Sequence, residues 1–490
     1  MDALTPKDFT EHRDLLDNPG RRVFVQGVGL VSVALLSGVL GGCEALDEAI
    51  RNRPMRRRLR TGSVEVDGDI NTYRQAVAAM KALPASNPIS WAAQAGIHGT
   101  VSGGFNFCQH GTQHFFDWHR AYLFYFEKIC QKLTGNAKFG LPYWNWNQNP
   151  GIHAAFLDTT STLFLSRTRT SMSGSSSITT ATLDPIFADT NLFTFGSQLE
   201  GTPHNNVHSF IGGTMGSGGS ALDPLFWMHH CMVDYCWYKW NIDLDNDNTN
   251  DSAWINTVDS HFVDANGNAA TALAGITTLM PLLSYQYESS AIGSAASATS
   301  LRRKSEFLKV EKRIRAGADI KYDIQRRVRL ADRAVTSIAR PFATETRLTA
   351  EDLSSIVNSD TAKERVFASI EYAQLPATSD FAVRVFVNLP NASSSTSIDD
   401  PHYAGSFAFF GTTPEAPAAT EHRHQPAFLV DLTNTVQRLK RTQQISSTTP
   451  LTLQLVPTPF GDKFEKDDTE LTLTAIEIII TPVIIRSTLK

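Results

Sequence analysis

Nine of the fourteen histidines in this 490-residue chain fall between His98 and His230. Imidazoles gathered that densely are expensive to bury unless something pairs with them, so the fold has to be built around whatever they hold. His204 and His208 stand four apart in PHNNVH, which puts both rings on one face of a helix, one turn apart, where they can chelate a single metal ion. His229 and His230 follow in FWMHHCMVDY. Neighbours on a helix diverge by about 100°, so one of the two is expected at this ion. Asp234, four residues beyond His230, is placed to accept an N–H from a ligand and set its tautomer.

A second group is carried by IHG at residues 97–99 and by CQHGTQHFFDWHR from Cys108. His110 and His119 are nine residues apart, half a turn out of phase on any one helix, so one of them is expected in a loop. Zinc proteases place a glutamate directly after the first histidine of an i, i+4 pair, but Asn205 stands there and supplies no general base. Two three-histidine sites without carboxylate or thiolate ligands favour copper over magnesium, calcium or an iron–sulfur centre.

At this length, and with 42% hydrophobic residues, more than one core is expected. All eight tryptophans precede residue 255, and residues 71–83, 121–133 and 234–244 repeat apolar positions at helical spacing. The first half therefore reads as a helix bundle. Residues 285–305 have the composition of a linker, and residues 306–360 are charged with a helical look. Residues 381–389, 406–411, 451–457 and 471–485 are short β-rich runs between turn clusters. The expected architecture is a mainly α domain, a four-helix bundle, over residues 44–290. A linker with an uncertain helical segment follows over 291–360, then a β-sandwich over 361–490.

The formal charge of −5 gives no basic field for nucleic acid, and the arginine run from Arg51 to Arg60 reads as a solvated approach to the domain. Residues 1–43 read as an export signal, with Arg21 and Arg22 before a short apolar stretch and Cys43 as a candidate lipid site. That stretch falls short of the ~20 residues of a membrane span. A periplasmic or extracellular location is expected.

IHG, the Cys-x-His followed by WHR, PHNNVH and DPLFWMHH together resemble tyrosinases and catechol oxidases. The resemblance implies two copper ions, one on His98, His110 and His119 and the other on His204, His208 and His230. It implies a thioether between Cys108 and His110, and a water near the second copper positioned by Glu200 and Asn205. It leaves His114 outside the ligand set. Phe226, Trp227 and Trp118 supply aromatic surface beside the ligands and read as packing, because aromatics at such spacings usually build core. A residue gating access should lie in the 212–220 run, where Ser217 or Gly218 would leave the entrance open. Tyr235 departs from the family, which usually has a basic residue after the aspartate, so the salt link at Asp234 is in question.

Tyr285 and Tyr287 in SYQY resemble the tyrosine motif that closes the catalytic domain, and the C-terminal β-runs resemble the domain that follows plant-type polyphenol oxidases. In such relatives that domain covers the copper pocket, so residues 360–490 are expected to act as a lid. The implied activity is oxidation of phenols to o-quinones with dioxygen. A catechol or aminophenol oxidase without monophenol hydroxylation is the nearest alternative, and a haemocyanin-like oxygen carrier is a more distant one. Implied partners are dioxygen and small phenols; a copper-delivery protein and self-association are compatible with the pattern.

Overall fold

The computed structural model describes residues 52–294 and 326–482, apart from 103, 250, 345–347, 360–363, 412–425 and 462–468. The expected export signal, Cys43 and Arg51 lie outside the described residues.

The first half is helical around a single large core. Helix α1 (Val64–Ala82) starts where Ser63 accepts from the Val66 amide, with Glu65 and Asp67 in its first turn facing the positive end of the helix dipole. Helix α2 (Trp91–His98) begins at a Ser90 cap. Helix α3 (Phe115–Thr134) stops at Gly135, whose φ of 68° is the left-handed conformation that glycine adopts most readily. Helix α4 (Leu192–Leu199) leads through a tight turn at Glu200–His204 into helix α5 (Asn205–Ile211). Helix α6 (Pro224–Tyr238) has Asp223 as its cap and proline at its first position, a start signal present in the DPLFW sequence.

Arg56 lies in a two-residue strand, β1 (Met55–Arg56), paired in parallel with β2 (Gln286–Tyr287). The expectation of a solvated arginine run is corrected here. Arg56 is 0% exposed and Arg53 is 8% exposed. The Arg56 guanidinium pairs with Glu127 and Asp234 and stacks 3.6 Å from the Tyr285 ring. A charge can be buried once it is paired and hydrogen-bonded on several sides, and two carboxylates meet that condition.

The C-terminal part consists of two antiparallel sheets sharing one apolar core. Its strands in chain order are β3 (Arg326–Ala331), β4 (Ala334–Ser337), β5 (Phe342–Ala343), β6 (Glu364–Tyr372), β7 (Phe381–Val387), β8 (Tyr403–Ala408), β9 (Ala427–Asp431), β10 (Leu453–Pro459) and β11 (Glu470–Pro482). One sheet runs β9-β6-β11-β3 with β4 also on β11, and the other runs β8-β7-β10-β5.

The β-rich part thus begins near residue 326, inside the 291–360 stretch expected to be a linker with a helical segment. Its charges hid a strand. Leu330 turns inward while Arg327 and Arg329 turn out and pair with Glu477 on the neighbouring strand β11, a period-two pattern. Helical structure in that stretch is present at Ala350–Val357, capped by Thr349.

Candidate metal centre

Four helices and one loop bring six imidazoles together. His98 ends α2, His119 sits in the first turns of α3, His204 and His208 flank the start of α5, and His230 lies mid-way along α6. His110 comes from the loop before α3, as the half-turn mismatch with His119 required. All six are at most 6% exposed.

In one group the Nε2 atoms of His98 and His110 are 3.2 Å apart, and the His119 Nε2 is buried with no hydrogen-bond partner. In the other, His230 Nε2 lies 3.2 Å from His208 Nε2 and 3.4 Å from His204 Nε2. Donors about 2.0–2.1 Å from a common ion are separated by distances of this size. The groups face each other, with the His119 and His230 rings stacked at 4.6 Å and the His110 and His204 rings at 5.4 Å.

The other ring nitrogens explain the orientation. His98 Nδ1 meets the Gly218 carbonyl at 3.0 Å, His119 Nδ1 the Phe115 carbonyl at 2.7 Å, and His208 Nδ1 the Met215 carbonyl at 2.9 Å. His110 Nδ1 meets Glu200 Oε1 at 3.1 Å, and His204 Nδ1 meets Asn205 Oδ1 at 2.9 Å. An oxygen acceptor at Nδ1 holds the proton there and turns the Nε2 lone pair inward. Burial pushes the imidazoles of His119, His204, His208 and His230 well below their ordinary range, which keeps them neutral and able to ligate. Six imidazoles, one with an orphaned inward nitrogen, fit a pair of borderline-soft metal ions and fit magnesium or calcium poorly.

His229 is brought into the same neighbourhood, with a ligand atom within 4.8 Å of those of His204, His208 and His230. Burial depresses its pKa to about 3. His114 stays apart, bonded through Nδ1 to Asp117 at 2.9 Å and stacked parallel to Trp254. The Cys108 sulfur is a buried free thiol within 4.8 Å of a nitrogen of both His98 and His110.

Glu200 accepts from the Gly111 amide at 2.7 Å as well as from His110, and burial raises its pKa to about 8. The Asn205 amide donates to the Ala408 carbonyl at 2.9 Å. Both side chains line a cavity of about 40 Å³, room for a few waters but not for an aromatic ring.

Two expectations are corrected. Asp234 does not hold a histidine: it accepts from Arg56, Arg120, Tyr285 and Tyr287, and the His230 Nδ1 has no partner. Burial would raise its pKa, but Arg120 and Arg56 outweigh that and lower it. Guanidiniums from two other elements bind a carboxylate more strongly than a neutral imidazole does. The salt link questioned at Tyr235 is therefore made from elsewhere in the chain.

The open entrance expected at Gly218 is also absent, and the Ser217 hydroxyl bonds to the Thr214 carbonyl. A Cβ at Gly218 would lie 2.4 Å from the Gly104 backbone, so that position is a close backbone contact and supplies a carbonyl to His98. The mouth is covered instead by Phe410, just past the end of β8. Its ring stacks on His208 at 3.8 Å and lies 5.1 Å from His110, 5.4 Å from His204 and 6.1 Å from His98.

The strand that carries Phe410 is held by side chains of the helical domain. Thr202 bonds to the Ser406 carbonyl, Asn205 to Ala408 and Ser209 to Phe409. Phe226, read from sequence as packing, is the opposite wall, 4.1 Å from His230. Phe410 was not among the residues singled out from sequence; the only local signal is an apolar pair at a strand end before Gly411.

Residues 88–192 and 158–243 match the family described as the common central domain of tyrosinase, and residues 322–476 match a domain of unknown function. The chain is 31% identical over 288 residues to tyrosinase HcTyr1 of a Hahella species, covering 45% of this chain and 61% of that protein. It is 29% identical over 268 residues to the chloroplastic (+)-larreatricin hydroxylase of Larrea tridentata, covering 44% of this chain and 46% of that one. It thus spans about half to three fifths of the length of these curated relatives.

Among solved structures, a latent aurone synthase aligns at 22% identity and TM-score 0.59 over 88% of this chain and 90% of that one. A latent apple tyrosinase aligns at 21% identity and TM-score 0.59, over 88% and 97%. At these identities the likeness establishes the two-part fold. Among the described residues no helix is long and apolar enough to cross a membrane.

Proposed function

We propose that this chain belongs to the tyrosinase and polyphenol oxidase family, whose members hold two copper ions, and that it oxidises phenols to o-quinones with dioxygen, in a form kept latent by its own C-terminal domain. His98, His110 and His119 hold the first copper, and His204, His208 and His230 the second. The observation that carries this reading is the pair of facing imidazole groups, with five of six Nδ1 atoms committed to oxygen acceptors. Bound copper supplies the electron exchange with dioxygen that side chains lack.

The rest falls to the chain's own residues. Phe105 and Phe226 wall the centre against water, and a substrate ring takes the stacking position over His208 that Phe410 occupies in the closed form. Glu200 and Asn205 flank the small cavity whose water accepts the phenol proton. The Cys108 sulfur lies within 4.8 Å of a His110 nitrogen, which is compatible with the thioether that the family resemblance implies and that would show as a mass lowered by two hydrogens. Export through residues 1–43, a copper-delivery partner and self-association belong to the same reading. Fractionation of the expressing cell and light scattering test the first and the last.

An o-diphenol or aminophenol oxidase without monophenol hydroxylation would carry the same six histidines. In the closed form the Asn205 amide is engaged with Ala408 of the covering strand, a bond that opening would release, and Glu200 with His110 and Gly111.

The test is oxygen uptake by the copper-loaded chain with a monophenol and with an o-diphenol, before and after limited proteolysis of the C-terminal domain. Diphenol uptake that rises on opening supports the reading, and monophenol uptake separates a tyrosinase from a catechol oxidase. No uptake from a fully copper-loaded, opened enzyme would overturn it in favour of an oxygen carrier.

A further inference from the structure

Among the described residues, five rings pack against Phe410: the imidazoles of His98, His110, His204 and His208, and the ring of Phe105. Of these, Phe105 is the one that cannot hold a metal. Its centroid is 5.1 Å from that of Phe410 at an interplanar angle of 59°, and it lies 4.7 Å from His110 and 5.5 Å from His98.

Phe105 belongs to the helical domain and is fixed there without help from the lid. Gly104–Phe105 pairs antiparallel with Gly99–Thr100, directly after the helix that ends at His98. The next two amides extend that hold, Asn106 donating to the His98 carbonyl at 2.9 Å and Phe107 to the Ile97 carbonyl at 3.3 Å. Behind the hairpin there is no room to retreat. A Cβ on Gly99 would lie 2.4 Å from the Gly104 carbonyl oxygen, and one on Gly218 would lie 2.4 Å from the same atom. Withdrawal of the β-rich domain therefore removes Phe410 and leaves Phe105 beside His98 and His110.

The direction of Phe410 shows what Phe105 would meet. That ring enters from just past the end of β8, so its Cβ points out towards the lid and its far edge lies among the imidazoles. A phenol in its place with the hydroxyl inward directs the substituent opposite the hydroxyl outward, along the path now filled by the backbone of Phe410 and Gly411. Phe105 flanks that path: a Cβ on Gly411 would come within 2.9 Å of Phe105 Cζ. A slim substituent passes the ring, whereas a branched group or a second ring overlaps it, and overlap with a fixed wall is destabilising.

We propose that Phe105 is a specificity-determining residue: it restricts the enzyme to phenols with a slender substituent opposite the reacting hydroxyl and turns away those with a branched or aryl group there. This deepens the reading of the centre as a phenol oxidase and rests on it.

The experiment compares kcat/KM for 4-methylcatechol and 4-tert-butylcatechol in the full-length, copper-loaded wild type, Phe105→Leu and Phe105→Ala, by oxygen uptake. Only open molecules take substrate, and their fraction multiplies kcat/KM for both catechols alike. The ratio of the two is therefore independent of how tightly the lid closes. It is expected to shift towards the tert-butyl compound by about tenfold or more in Phe105→Ala, and by less in Phe105→Leu. The ratio of dissociation constants for 4-methylbenzoate and 4-tert-butylbenzoate, which form no quinone, should move the same way in titration calorimetry.

Unchanged ratios in both variants overturn the proposal. That holds if both rates rise together, which would make Phe105 a prop for the lid, and if both fall with the copper content, which would make it a prop for His98 and His110. A wild type that carries two coppers and oxidises neither catechol removes the oxidase reading instead, and the benzoate ratios then decide by themselves whether Phe105 shapes the slot.

Discussion

The Phe410 ring lies 3.8 Å from the His208 ring at an interplanar angle of 18°, so a side chain of the β-rich domain stacks on an imidazole of the metal centre. At 4% exposure Phe410 also shields the centre from solvent. If only the open fraction of molecules turns over, removing this ring raises the competent fraction. Phe410→Ala is expected to increase kcat/KM for an o-diphenol by about tenfold or more with copper content unchanged, as read by oxygen uptake and metal analysis.

The hold on the lid strand is testable by itself. The Thr202 hydroxyl sits 2.6 Å from the Ser406 carbonyl. Thr202→Val leaves that acceptor without its partner in the closed form, a loss of about 1–3 kcal/mol. Faster protease cleavage within residues 326–482 and higher diphenol turnover are expected, and unchanged rates in both would show that the closed form does not depend on this bond.

Glu200 ties the His110 ring to the Gly111 backbone. Glu200→Ala frees the ring, and the affinity of the first trio for copper should fall by about 10–100-fold. Glu200→Gln keeps an acceptor oxygen and should lose much less. Competitive copper titration of the two variants decides the point.

Asp234 joins Arg56, Arg120, Tyr285 and Tyr287 in one buried cluster. Asp234→Asn leaves two guanidiniums without their shared counter-charge, and a loss of about 3–5 kcal/mol is expected. The denaturant midpoint should drop even in the apo protein, which distinguishes this role from metal binding.

Burial raises the Asp189 carboxyl to about 6, against hydrogen bonds from Thr194 and the Asn191 amide that lower it. The folded state therefore binds this proton more tightly than the unfolded chain does. The associated stability is fully present below pH ~4 and is lost as pH rises through about 6. The sum is on the order of 2–3 kcal/mol. Asp189→Asn should flatten the stability profile over that window, measured by chemical denaturation at several pH values.

Much of the site was readable without coordinates because its rules are local. The i, i+4 spacing of His204 and His208 and the phase mismatch of His110 and His119 each depend on a few neighbouring residues. The β-runs after residue 381 announced themselves by alternation and composition. Residues 326–331 did not, because four of six are Arg or Ala and the Glu477 that answers Arg327 and Arg329 lies on another strand.

The sequence by itself determined the donor types, the grouping of the histidines into two sets and the division into a helical and a β-rich part, since spacing and periodicity are properties of short segments. Only the tertiary structure decided that Asp234 answers Arg56 and Arg120 instead of an imidazole, that Gly218 is a backbone contact instead of a gate, and that Phe410 covers His208. In each case the deciding partner is 100 or more residues away, and contacts at that range are set by how whole elements pack, which no local pattern encodes.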